Sequence, residues 1–364
     1  MNRAALALAT VTATAALAAC SLLIGLDERP GRPVEDASTG DAPTTNADAD
    51  GPATGSAYLF AAGGHQTSGT GAEPTARTLA VPIHPDGSLG AWTRGPDLPE
   101  ARYRHGVIGI KAAAHVIGGY TATEPGTADV ISSRLLEDGG LAPFIDAVPL
   151  FDYTTDACPV IVGSRTYVMS PGIGSVQFAT INGDGTFGGW QRQGALDGGP
   201  SVGQYGIPAV VDDQIFWFAW NQVAVVSRVR GDGKLDDWRA LAPMPIAFTV
   251  NSGQAVASGR FIYLLGGHHG SGTGLATNEV YVAAVDATGQ LGAWRSTEPY
   301  PQSRNSYSVV AYNGYVYVLG GEDVTDVSFA KILPDGSLDT WRTTTPLPEE
   351  HRDGCIFGVV TRGL

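Results

Sequence analysis

Histidines, cysteines and carboxylates are the side chains of this chain that could hold a metal ion or move a proton. Their spacing is the first constraint. His268 and His269 are adjacent. In an extended strand neighbouring side chains point to opposite faces, so the two could not readily share one ion. A shared site would need His65 or His351 to converge on them; surface histidines are the simpler reading, and no metal or cofactor is assigned. The acids Asp86, Asp138, Asp184, Asp232 and Asp335 each precede a glycine in the same local context. They read as turn formers, not as the paired carboxylates of a hydrolase. The chain has no H-E-x-x-H helix motif and no phosphate-binding loop, so no catalytic residue is assigned.

The elements that must position any site are legible from repetition. PDGSLGAW at Pro85–Trp92 returns as PDGSLDTW at Pro334–Trp341. Looser copies end at Phe144, Trp190, Trp238 and Trp294, giving spacings of 52, 46, 48, 56 and 47 residues between closing aromatics. A period near fifty is a repeat architecture. Asp-Gly suits a two-residue hairpin turn, where Gly accepts positive φ. An alternating strand precedes each turn, as in NEVYVAAV (Asn278–Val285), and a short strand with the Leu and the aromatic follows. A large aromatic once per repeat can fill the wedge between neighbouring sheets.

A second element travels with the first. YLFAAGG (Tyr58–Gly64), HVIGG (His115–Gly119), IYLLGG (Ile262–Gly267) and VYVLGG (Val316–Gly321) read as strands ending in paired glycines. Ser170-Pro171 and Ala219-Trp220 replace the pair in the third and fourth repeats. Proline-rich stretches with an arginine lie upstream of several copies, as in DLPEARYRHGVIGI from Asp97. Together these features resemble the kelch motif of the galactose oxidase/kelch-type superfamily over residues 57–364. The resemblance implies an all-β, single six-bladed β-propeller. The chain enters on a second strand and leaves on a first, so the C-terminal strand is expected beside Tyr58–Ala62, closing the ring and removing an exposed edge.

In kelch propellers the loops after the paired glycines and the loops leading into the innermost strands share one face. Carried over by position, the resemblance places His65, Tyr120, Trp220, Asn221, His268, His269, Glu322 and Asp323 on the first set of loops. It places Arg102, Arg104, His105, Arg304, His351, Arg352 and Asp353 on the second. Aromatic faces with arginines and carboxylates would suit a sugar or a small anion. Trp220 would either stack on a sugar ring or fold back between blades beside Trp217. The copper site of galactose oxidase is not carried over, because no partner pair for its Cys–Tyr crosslink is identifiable.

Cys158 and Cys355 fall at the same position of the innermost strand in blades that are not neighbours. An exported pair invites a disulfide, but the ring should hold their Cα atoms beyond the ~7 Å a disulfide spans. Two buried free thiols are therefore expected.

The N-terminus reads as an address. Arg3 precedes an alanine-rich apolar run, too short and too weakly hydrophobic for a membrane span, that ends in LAAC at Leu17–Cys20. This resembles the lipobox of bacterial lipoproteins, which implies cleavage after residue 19, acylation of Cys20 and, through Ser21, sorting to an outer membrane. Residues 20–56 hold no aromatic residue and read as an acidic tether. Within it, NADADG (Asn46–Gly51) looks like the start of a calcium loop, but Ala57 stands where the twelfth-position carboxylate is needed. The net charge of −14 disfavours nucleic acid as a partner. The expected partners are the membrane, through Cys20, and an envelope protein or glycan. The expected function is a non-catalytic binding module. A sugar-modifying enzyme resembling kelch-type sialic acid epimerases and a scaffold without a small ligand are the alternatives.

Overall fold

The computed structural model describes residues 56–68, 71–170, 175–194, 206–220, 222–248, 253–269, 276–353 and 355–362. The lipobox with Cys20, the tether, NADADG and Asn221 lie outside them. The chain divides into two units, Met1–Pro43 and Thr44–Leu364, and all that follows concerns the second.

Six four-stranded antiparallel sheets form the blades of the unit, two further two-stranded ladders pair His65–Ser68 with Gly71–Pro74 and Arg102–Tyr103 with Tyr120–Thr121, and every regular element among the described residues is a strand. From the innermost strand outward, blade 1 is Phe357–Thr361, Ala57–Ala62, Thr78–Ile83 and Thr93–Arg94. Blade 2 is Gly106–Ile110, Ala113–Ile117, Val130–Arg134 and Ile145–Asp146. Blade 3 is Val160–Val162, Arg165–Ser170, Ser175–Thr180 and Gln191–Gln193. Blade 4 is Gly206–Val211, Gln214–Ala219, Val223–Arg228 and Arg239–Ala240. Blade 5 is Gly253–Ser258, Phe261–Gly266, Val280–Ala284 and Arg295–Thr297. Blade 6 is Ser308–Tyr312, Tyr315–Leu319, Val327–Lys331 and Arg342–Thr343. The closing strand is where the sequence places it, with Tyr58 opposite Val360 and Phe60 opposite Gly358.

The repeated turn is a correction. His84 and Ser88 pair across three residues, His84 N–H donating to Ser88 O at 2.8 Å and Gly87 N–H to His84 O at 2.9 Å. This is a three-residue loop with glycine in the left-handed position, not a two-residue hairpin. Asp86 belongs to it through its side chain, which accepts from the backbone and hydroxyl of Ser88. The glycine is required for a second reason. A Cβ on Gly87 would stand 2.6 Å from the ring of Tyr315 in blade 6, and one on Gly336 would stand 2.3 Å from Phe261 in blade 5. Each turn thus lies against the preceding blade, where a side chain also donates to the glycine carbonyl: Tyr317 to Gly87, His115 to Gly185, Tyr167 to Gly233 and Tyr263 to Gly336.

The closing aromatics complete these seams. Trp92, Trp190 and Trp341 donate their indole N–H to Thr345, Val148 and Glu298 of the preceding blade's exit loop. Five apolar clusters fill the wedges around the ring. Trp217, the largest fully buried side chain, sits in the cluster between blades 3 and 4.

The cysteines are a second correction. Cys158 and Cys355 form a disulfide with Cα atoms 5.4 Å apart. Blades 1 and 3 meet across the innermost strand of blade 2, which glycine has thinned. A Cβ on Gly106 would meet Pro159 at 2.4 Å, and one on Gly109 would meet Val359 O at 1.8 Å. The expected separation rested on the two blades not being neighbours in the ring.

Candidate functional site: the mouth of the channel

The loops leading into the innermost strands form the mouth of the central channel. Four equivalent non-glycine residues in these loops have positive φ: Arg104 (52°), Asp156 (55°), Ser306 (55°) and Asp353 (144°). Arginine and serine rarely adopt this conformation, and such outliers persist only where the surroundings hold them. They are held by one another. Asp353 N–H donates to Ser306 O at 2.9 Å, Arg104 N–H to Asp353 Oδ2 at 3.2 Å, and Asp156 N–H to Arg104 O at 2.6 Å. The chain of bonds runs from blade 6 through blades 1 and 2 to blade 3, and the Cys158–Cys355 bridge spans it.

Side chains converge on this arc. Arg104 Nε lies 3.5 Å from Asp156 Oδ1, and His65 Nδ1 lies 3.2 Å from Asp353 Oδ1. The His65 ring lies 4.2 Å from that of Tyr103, which stacks on Tyr120 at 5.1 Å. Burial raises the Asp156 carboxyl to about 6, against the opposing pull of Arg104. Beside the arc, Arg352 bonds Glu322 at 3.0 Å and lies 3.8 Å from Glu350, which accepts from the Asp323 N–H. Below the mouth lies a cavity of about 270 Å³, lined largely by aliphatic side chains of the innermost strands, Val160, Ile207, Val256 and Val309 among them.

Other residues expected on this face have turned inward. Arg102 and Arg304 are buried, donating to the carbonyls of Gly118 and Gly320, the first glycines of their own blades' pairs. His351 does the same for Gly63 at 3.0 Å. The left-handed glycines leave these carbonyls without strand partners, and a buried acceptor must be satisfied. His105 and Tyr307, three residues after Arg102 and Arg304, reach back to Ala62 O and Leu265 O of the preceding blade. Burial lowers His105 and His351 to about 4, so both are neutral. Arg102 and Arg304 are therefore committed to their own blades and not to the channel.

His268 and His269 diverge beyond the end of their strand, where His268 makes an isolated bridge with Ala247. His268 is buried, and His269 is exposed with Glu279 Oε2 at 2.8 Å. Trp220 is 37% exposed and bridges Phe248 through its backbone, while Trp217 takes the buried place between blades. Sequence reasoning missed Tyr103, Asp156 and Ser306. One signal for Asp156 is present: Asp156-Ala157-Cys158 and Asp353-Gly354-Cys355 share an Asp-x-Cys pattern at equivalent positions.

Over 104 residues the chain is 34% identical to Kelch-like protein 40 of Mus musculus, a match covering 28% of this chain. The matched stretch is only 15% of that protein's length. A solved structure titled "Structure of YjhT" superposes with a TM-score of 0.55 at 12% identity, covering 78% of this chain and 97% of that one. The domain is a kelch-type β-propeller. No family model matches the chain. The likeness to the solved structure extends to the fold alone. The Ser306–Asp353–Arg104–Asp156 arc lies on the loops that lead into the innermost strands of blades 6, 1, 2 and 3.

Proposed function

We propose that this kelch-type propeller is a binding module, that its ligand face is the arc at the channel mouth, and that an acylated Cys20 displays it at the cell envelope. The observation that carries the reading is the strained, cross-linked arc itself. Four unfavourable backbone conformations and a disulfide fix Arg104, Asp156 and Asp353 in place before any ligand arrives, and preorganisation lowers the cost of binding. The ligand class that fits is an envelope glycan. The Tyr103–Tyr120 pair offers an aromatic face, and His65, Arg104 and the two carboxylates offer donors and acceptors at its edge.

The test is a thermal-shift series with envelope saccharides on the wild type and on Tyr103→Ala. A ligand at ~100 times its dissociation constant adds about 2.7 kcal/mol of stability. A shift seen in the wild type and lost in the variant supports the reading. An equal shift in both would remove the arc from it.

A second reading is favoured by one observation, the Asp156 carboxyl near 6 beside the His65–Asp353 pair. A group titrating there can act as a general acid or base on a sugar. On that reading Asp156→Asn abolishes turnover of a reactive sugar and leaves its binding in place.

A further inference from the structure

The outermost strand of every blade leaves one backbone edge unpaired. Such edges recruit other chains unless they are guarded, commonly by charged side chains. Five blades carry an arginine there: Arg94, Arg192, Arg239, Arg295 and Arg342. Blade 2 carries Ile145–Asp146 instead. Ile145 is 68% exposed, and Val148, Phe151 and Tyr153 follow it at 43%, 65% and 54%. These are four of the six exposed large hydrophobic residues among the described residues.

The exposure is built in. Ala147 N–H donates to Val130 O and Leu150 N–H to Ala128 O, holding the segment along its sheet. Gln177, fully buried in blade 3, accepts from the N–H groups of Phe151 and Asp152 and donates to Asp152 O. A buried amide thus fixes the segment that presents Phe151 and Tyr153 outward.

We propose that this edge is a docking surface for an extended segment of a partner protein in which apolar residues alternate with basic ones. Charge selects that occupant. Between residues 129 and 153 stand Asp129, Glu137, Asp138, Asp146 and Asp152 against the single base Arg134; Arg192 of blade 3 pairs with Asp152 at 2.8 Å, which still leaves the acids in excess. A second copy of this chain is disfavoured, because symmetric antiparallel pairing would set acidic edge against acidic edge. Pro143 and Pro149 bracket the edge. They hold the available ladder to a few residues, enough for a short segment and too little for runaway sheet growth. The proposal does not depend on the reading given to the channel mouth.

The test uses fluorescence anisotropy with the full chain and a labelled peptide of ~10 residues, a usual strand length, alternating lysine and leucine. A matched glutamate–leucine peptide is the control. The wild type binds the lysine peptide about tenfold or more tightly than the glutamate peptide, a difference of about 1.4 kcal/mol. The double variant Ile145→Gln/Phe151→Ser loses that binding while its melting temperature holds. Equal binding of both peptides overturns the proposal, as does undiminished binding by the variant. Sedimentation of the wild type as a dimer that the variant abolishes also overturns it, by making a second copy the occupant.

Discussion

His105, His115 and His351 are each lowered by burial to about 4, from an ordinary 6.5. Between those values the unfolded chain takes up protons that the native state refuses, so stability falls as pH falls through this window. A shift of that size corresponds to at most about 3 kcal/mol per histidine. Asp156 runs the other way. Its carboxyl is raised from 3.8 to about 6, so the native state holds a proton that the unfolded state has released, and stability rises as pH falls from about 6 towards 3.8. Three groups oppose one. The melting temperature should fall from pH 7 to pH 4.5, less steeply in His115→Gln and more steeply in Asp156→Asn. A profile unchanged by both substitutions would contradict the assigned burial. Asp156→Asn should also be the more stable protein at pH 7, since it removes a carboxylate ionised against desolvation.

At the scale of elements, the recurring turn makes a graded prediction. Gly163 has positive φ and nothing within 4 Å of an added Cβ, whereas Gly336 has positive φ and Phe261 at 2.3 Å. Gly163→Ala should cost about 1–2 kcal/mol, the strain of a left-handed alanine. Gly336→Ala adds the displacement of a neighbouring blade's ring, roughly a further 1–3 kcal/mol. Denaturant unfolding of the two variants separates these contributions; equal costs would mean that the turn does not bear on blade 5. The same elements show what could be read beforehand. Strand order, blade number and the closing strand follow from spacing and turn chemistry, which are local. The fates of Arg102, Arg304 and His351 do not. Their place on a loop is legible, but the direction of each side chain depends on which glycine carbonyl lacks a partner, and that is set by backbone in three dimensions. Asp156 escaped notice because the third repeat departs from the pattern upstream, where Tyr153-Thr154 stand in place of Ala101-Arg102 and no arginine marks the loop.

At the scale of the whole molecule, the disulfide joins residues 197 apart in sequence. In the chain-entropy account, closing so long a loop stabilises the fold by about 5 kcal/mol. Cys158→Ser/Cys355→Ser should therefore unfold at clearly lower denaturant than the wild type. Thiol titration of unreduced, denatured protein should detect neither Cys158 nor Cys355, and finding both reactive would refute the bridge. Removal of residues 353–364 takes away Cys355 and the innermost strand of blade 1 together, and should leave no cooperative transition. The free-thiol expectation failed because it used the spacing of an ordinary ring; the glycine-thinned strand of blade 2 is a local departure that shortens the distance between its neighbours.

Ring closure by the last strand also imposes an order in time. Ala57–Ala62 is among the first parts of the domain to be made, and its inner partner Phe357–Thr361 is among the last. At synthesis rates of roughly 5–20 residues per second, that strand waits on the order of 15–60 s with one edge bare. Whatever shields it during that interval is as necessary to the finished protein as any contact within it. A mutation that slows completion of the chain would then lower yield without touching the stability of molecules that do close.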